Sequence, residues 1–201
     1  MFITFEGIDG SGKSTQILLL REYLVKNGHK VVTLREPGGT ELSEYIRAVL
    51  LNKKLEVSEI SELLLFQAAR ADLVKTIVKP SLDQGRIVLS DRYFDSTTAY
   101  QGYGRGIDME IIKKSNQIGS LGVLPDMTFY LKIERNVGIE RDKDKDRDRM
   151  ELSGDDFYDK VIHGYDQLAK NESRFITIDG NKSVKEIHSK VVDEVEKLIN
   201  K

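Results

Sequence analysis

Short apolar runs alternate with longer amphipathic segments along the chain. Five runs, Phe2–Phe5, Lys30–Leu34, Arg86–Ser90, Met127–Lys132 and Phe175–Ile178, are rich in Val, Ile, Leu or Phe, and most lack polar alternation. Strands covered on both faces of a parallel sheet read this way. Helical segments separate them. One covers Ser14–Asn27 and stops at Gly28, and a long one runs from about Ser58 to just before Pro80. Others cover about Asp108–Leu121, Asp155–Lys170 and Val184–Asn200. The alternation predicts an α/β fold with a five-stranded parallel sheet, right-handed crossovers and helices on both faces. On the helix from Ser58, Ile60, Leu64, Ala71, Val74 and Val78 share one face at 3.6 periodicity. Phe66 and Arg70, four apart, share a second face beside it.

Composition narrows the options. The 201 residues suit one domain, spanning 1–201, with no internal repeat and no Pro/Gly/Ser-rich linker. The formal net charge of -2 gives no general attraction to nucleic acid or an anionic membrane, so polyanion chemistry must come from local Arg and Lys clusters. Absence of cysteine excludes disulfides, thiolate metal sites and Cys nucleophiles. No apolar run approaches the ~20 residues of a spanning helix, and no signal peptide precedes Phe2, so a cytoplasmic protein is expected. The run Glu140–Arg149 alternates charge without an apolar residue, so it reads as a solvated helix end, a plain solvated face or a mobile loop.

Gly7-Ile8-Asp9-Gly10-Ser11-Gly12-Lys13-Ser14, followed by Thr15, matches the phosphate-loop pattern G-x-x-x-x-G-K-[ST], with a strand entering and a helix leaving. The glycines let successive backbone N–H groups turn inward around ATP phosphates at a helix N-terminus. Lys13 is expected to reach the β/γ-phosphates, and Ser14 to ligate Mg²⁺. The fold class sharpens to a P-loop NTPase, three-layer α/β/α. What the loop does with its nucleotide depends on the rest of the chain. A guanine-reading N-K-x-D is missing, because Asn181-Lys182 continues Ser-Val. The strand at Ile87–Ser90 ends in Asp91-Arg92, not the Asp-Glu of a water-activating motor. Asp91 can hold Mg²⁺, and Arg92 suits a clamp on a second phosphate. Transfer between two phosphates is favoured over hydrolysis.

Five linked stretches resemble the thymidylate kinase family along nearly the whole chain. They are Phe5–Thr15, Leu34–Thr40 (LREPGGT), Leu65–Arg70 (LFQAAR), Asp91-Arg92-Tyr93 with Ser96 to Gly102, and Pro125-Asp126. The resemblance implies ATP-dependent phosphorylation of dTMP to dTDP by direct Mg²⁺-assisted transfer, in dTTP synthesis, by a homodimer. It implies that Asp9 accepts the sugar 3′-hydroxyl and that Arg35, Arg47 and Arg92 surround the acceptor phosphate beside Glu36-Pro37. Phe66 would stack on thymine and Arg70 would donate to a thymine carbonyl. Gln101, with Ser96 or Thr97, would meet the N3 edge, and Tyr100 would pack under the deoxyribose. In the turn of helix expected after Asp95, Thr97 and Gln101, like Ser96 and Tyr100, are spaced i,i+4 and so gather on one short surface.

Family members carry a catalytic Arg either in the phosphate loop or in a lid over the phosphates. Here Gly10 follows Asp9, so the resemblance implies a lid at about 140–153 that supplies it, with Arg141, Arg147 and Arg149 as candidates. Arg149 lies in an Asp-Arg-Met-Glu stretch that resembles the family's lid end. The competing readings are another nucleoside or nucleotide kinase of the same fold and a P-loop switch without transfer activity. The histidines, His29, His163 and His188, sit in polar stretches and read as solvated.

Overall fold

The computed structural model describes residues 1–143, 149–150 and 154–200. Five strands, β1 (Phe2–Glu6), β2 (Val31–Arg35), β3 (Ile87–Asp91), β4 (Met127–Lys132) and β5 (Phe175–Asp179), form one sheet. They run parallel in the order β2-β3-β1-β4-β5. Placing β1 in the middle sends the chain outward on both sides of the phosphate loop. Crevices beyond the carboxyl ends of strands at such a reversal are where α/β sheets bind ligands.

Strand alternation divides the core. Ile3, Phe5, Leu89, Phe129 and Leu131 pack on one face against Ile17, Leu20 and Leu24 of α1 (Lys13–Lys26) and Ile187, Val191 and Val195 of α9 (Val184–Ile199). On the other face, Phe2 and Val88 meet Leu73, Val74, Val78 and Tyr93. Tyr130 joins Phe157, Val161 and Tyr165 of α8 (Asp155–Asn171) there. Helix starts follow local chemistry: Thr40 caps α2 (Glu41–Leu51), Ser58 caps α3 (Glu59–Leu73), and Asp108 caps α6 (Met109–Gly119). Ser183 and Glu186 form a capping box at α9.

The structure corrects several expectations. The helix from Ser58 does not stop before Pro80. It passes through a π-helical turn, Val74–Val78, into α4 (Lys79–Asp83), so that Pro80 follows a widened turn instead of ending the helix. The buried face of α3 carries Glu62, Leu63, Gln67, Ala69, Arg70 and Leu73. Ile60 and Leu64 are 48% and 59% exposed, so part of the apolar stripe points outward. Strand β2 is one of the two sheet edges and is only partly covered, which its apolar run did not reveal. Helices α2 and α7 (Arg135–Arg141) were not expected. The stretch after β3 is one short turn, α5 (Phe94–Thr97), followed by a π-helical segment, Thr98–Gly104, so its side chains do not keep α-helical spacing. Among the histidines only His163 is exposed; His29 and His188 are half-buried, and burial lowers the pKa of His188.

Candidate active site

The phosphate loop bends at three glycines with positive φ, Gly7 (136°), Gly10 (74°) and Gly12 (94°). Gly12 caps α1 in a left-handed conformation, so the helix starts with its free N–H groups at the loop. Gly10 also meets a steric limit: a Cβ there would lie 2.5 Å from the carbonyl oxygen of Gly138 in α7. The position after Asp9 therefore excludes any side chain, arginine included. Asp9, Gly10, Ser11, Gly12, Lys13, Ser14 and Thr15 line an open cleft. Ile8 turns into the core beside Tyr100 and Tyr130, leaving only its backbone to the loop. Gly7 contributes backbone alone, since a Cβ would strike the Leu131 carbonyl at 2.6 Å.

Lys13 Nζ donates to the carbonyls of Gly7 and Ile8 at 3.0 Å each, and burial, with Arg92 nearby, lowers its pKa. Ser14 Oγ donates to Asp91 Oδ2 at 2.7 Å, joining the loop to the end of β3. A hydroxyl and a carboxylate so placed are hard oxygen donors of the kind Mg²⁺ takes.

Arg92 has φ of 70°, a left-handed backbone that is unusual for a non-glycine residue. That turn brings its guanidinium back over the loop. Nη2 donates to Asp9 Oδ1 at 2.8 Å and to Tyr100 Oη at 3.3 Å, while Nη1 donates to Ser96 Oγ and Tyr165 Oη. Beneath it lies Glu6, fully buried, accepting from the Tyr93 N–H at 2.8 Å, Ser96 Oγ at 2.6 Å and Tyr165 Oη at 2.9 Å. Burial, reinforced by Asp95, pushes the Glu6 carboxyl up to about 7.

A second, adjoining cleft is lined by Glu36, Pro37, Arg47, Phe66, Arg70, Arg92, Ser96, Thr97, Tyr100, Gln101 and Met150. Arg70 is held on three sides: Nε donates to Glu36 Oε2 at 2.7 Å, Nη1 to Gln67 Oε1 at 3.0 Å, and Nη2 to Thr97 Oγ1 at 3.0 Å. Burial raises the pKa of Glu36 and the Arg70 charge opposes that rise. Arg47 Nη1 donates to the Pro37 carbonyl at 2.9 Å. Arg35 is half-exposed, bonded to both carboxylate oxygens of Glu44 at 3.1 Å, and faces the phosphate cleft.

Most residues singled out from the sequence thus fall on these two clefts. Ser96 lines the second, but its hydroxyl is engaged by Glu6, which leaves Thr97 beside Arg70. The three arginines expected of a lid separate. Arg141 lines the phosphate cleft and donates to the carbonyls of Gly10 at 3.3 Å and Gly180 at 3.0 Å. Arg149 instead pairs with Glu62 at 2.7 Å and donates to the Leu50 carbonyl at 2.9 Å. Arg147 lies outside the described residues.

Sequence reasoning missed Glu6, Glu62, Gln67, Arg105 and Tyr165. Glu62, Phe66 and Arg70 form an i, i+4, i+8 series that could have flagged the first of these on α3. A carboxylate closing a buried strand could have flagged Glu6. Tyr165 arrives from a helix remote in sequence, with no local signal.

The family model for thymidylate kinase matches residues 5–191. The thymidylate kinase of Chlorobaculum tepidum is 44% identical over 212 aligned positions, covering 100% of this chain and 99% of that protein. That of Thermosipho africanus is 47% identical over 197, covering 98% of each. The crystal structure of thymidylate kinase from Ehrlichia chaffeensis superimposes with a TM-score of 0.78 at 41% identity, covering 97% of this chain and 98% of that one. Whole-length agreement in sequence, together with a five-stranded parallel sheet carrying a phosphate loop, is decisive: the chain belongs to the thymidylate kinase family and phosphorylates dTMP at the expense of ATP.

Proposed function

We propose that the phosphate cleft holds Mg²⁺-ATP, the adjoining cleft holds dTMP, and the γ-phosphoryl passes directly between them. The observation that carries this reading is the shared wall: Asp9, Glu36, Arg47 and Arg92 line both clefts. In this reading the loop Gly7–Thr15 cradles the ATP phosphates, Lys13 turns from the loop carbonyls to the β/γ-phosphates, and a Mg²⁺ ion at Ser14 and Asp91 would neutralise charge on those oxygens. Arg92, Arg47 and Arg35 hold the acceptor phosphate, and Asp9 takes the sugar 3′-hydroxyl. Phe66 stacks on the base, a contact worth roughly 1–3 kcal/mol, with Arg70, Gln101 and Thr97 along its edge and Tyr100 under the sugar. The acceptor is already an ionised phosphate, so no general base is needed. Positioning and charge neutralisation carry the catalysis.

Arg141 is the lid arginine we assign to the transferring phosphoryl, because it already reaches Gly10, where the loop has no room for a side chain. A coupled assay of ADP release with dTMP, dUMP, AMP and CMP, with and without Mg²⁺, tests the scheme. Turnover of dTMP that needs Mg²⁺, slower turnover of dUMP and none of AMP are expected. Equal turnover of AMP would remove the thymine pocket. Arg141→Ala should lower kcat with little change in dTMP KM; an unchanged kcat would return the role to Arg147.

We further propose a homodimer that works in the cytoplasm. Neighbouring helices α2, α3 and α6 expose Leu42, Tyr45, Ile60, Leu64, Ile111 and Ile118, the last 71% exposed. An apolar face of this extent marks an interaction surface, and a second copy with the same face is its natural cover. Light scattering should give twice the 22.8 kDa chain mass, and Ile118→Lys should shift it to the monomer.

A further inference from the structure

Glu62 lies on α3 with its side chain 1% exposed, bonded to Gln101 of the second cleft's wall. Four donors converge on it. Gln101 Nε2 and Arg105 Nε donate to Oε1 at 2.8 and 3.3 Å. Arg105 Nη2 and Arg149 Nη2 reach Oε2 at 3.3 and 2.7 Å. A carboxylate between two guanidinium groups accepts hydrogen bonds and offers none. Gln101 can therefore meet Glu62 only through its NH₂ group, and its carbonyl oxygen must face the other way. Among the described residues Oε1 of Gln101 has no donor, and Gln101 is a wall of the cleft. The cleft is thus shown a lone pair from Gln101, and it is also lined by Arg70, whose Nη1 and Nη2 each carry a second N–H beyond those bonded to Gln67 and Thr97.

That order of acceptor then donor matches a pyrimidine edge with an N3–H and a C4 carbonyl. A cytosine edge, with a lone pair at N3 and an amino group at C4, would be opposed at both atoms. We propose that Glu62 is a positioning residue for base specificity: by fixing the orientation of the Gln101 amide, it makes the acceptor cleft select bases that carry N3–H. The inference rests on the reading of the second cleft as the dTMP site. Because Arg149 shares the same carboxylate, the far end of the lid is tied to the group that reads the base.

The test compares kcat/KM for dTMP and for 5-methyl-dCMP, which share the 5-methyl group, in Glu62→Gln. The remaining amide oxygen belongs on the Arg149 side, where the bond is shorter, leaving an NH₂ facing Gln101 and releasing its orientation. The contribution of Arg70 is common to both enzymes and cancels. Discrimination should fall about tenfold or more, the scale of one misaligned hydrogen bond, mainly through a higher KM for dTMP. In a Gln101→Met background, Glu62→Gln should change the ratio no further. A purely structural role would lower both activities by the same factor, and that result overturns the proposal. If Gln101→Met itself left the ratio unchanged, the base-reading assignment would fall along with it. Neutron diffraction on the unsubstituted protein needs no variant: deuterons on the amide nitrogen should point at Glu62, and deuterons aimed into the cleft would refute the inference.

Discussion

The cleft we assign to phosphates takes eight of its wall residues from one unbroken stretch, Asp9–Gln16, whereas the one we assign to the base draws on Asp9, β2's exit, α2, α3, the segment after β3 and Met150. The first relies on backbone: three glycines with positive φ bend the loop, and the start of α1 adds its field. The second relies on side chains that are buried and tied to one another, as in Glu36–Arg70–Thr97 and Glu62–Gln101. Phosphates are alike in every nucleotide, so an open backbone nest suffices for them. A base is distinguished by the direction of a few hydrogen bonds, which only a preorganised set of buried donors and acceptors can impose.

Changes at the two ends should therefore differ in kind. Lys13→Ala, at the phosphate end, should lower kcat by about 10³-fold or more with a smaller loss of stability than at the base end, because it removes two bonds to loop carbonyls but leaves no buried charge unpaired. Steady-state kinetics beside a thermal melt checks this; a large drop in melting temperature would contradict the contrast. Arg70→Ala, at the base end, should both raise the dTMP KM and destabilise the fold by about 3 kcal/mol, since it leaves Glu36 buried without its partner. Glu36 Oε1 already has no hydrogen-bond partner among the described residues. Urea unfolding with and without dTMP separates the two effects, and an unchanged KM would remove Arg70 from base reading.

Glu6 sharpens the comparison by pH. Its folded pKa, about 7, lies above the ordinary 4.5, so the folded state holds the proton more tightly than the unfolded state. Between those values a rise in pH weakens the fold, and the penalty is complete above about 7. Relative to Glu6→Gln, the unsubstituted protein should lose about 1–3 kcal/mol of stability over that interval, measured as the difference in slope of unfolding free energy against pH. Parallel slopes would show that Glu6 does not titrate there. The smallest effect belongs to the exposed rim of the phosphate cleft: Glu44→Gln, which weakens the pair with Arg35, should cost under about 1 kcal/mol in the same unfolding assay.

The two ends also differed in how far the sequence revealed them. The loop's order of glycines, Lys13 and Ser14 names its own chemistry, and Phe2–Glu6 before it and α1 after it supply the context. For the second cleft the sequence supplied most of the residues that line it, through the likeness of five motifs to a family, but not their bonding. The spacing of Ser96, Thr97, Tyr100 and Gln101 suggested one α-helical surface. All four do line one cleft, but a short turn and a π-helical segment carry them, with Ser96 bonded to Glu6 and Gln101 to Glu62. Ile60 and Leu64 looked like core by period alone, yet they face outward while Glu62, Gln67 and Arg70 face in. Periodicity locates a stripe; it does not say whether the protein's own core or another surface covers it.

By itself the sequence determined the parallel α/β architecture, the nucleotide loop and the class of reaction, because each follows from local patterns: strand and helix period, glycines at fixed offsets, a charged pair closing a strand. Only the tertiary structure decided why Gly10 admits no arginine, that Arg141 and not Arg149 lines the cleft beside the loop, and how the Gln101 amide is held. Those depend on approaches between residues far apart in the chain, Gly10 against Gly138, Arg141 against Gly180 and Glu62 against Gln101 and Arg149. The direction of a hydrogen bond is fixed by the partner on its far side, and folding alone brings that partner into reach.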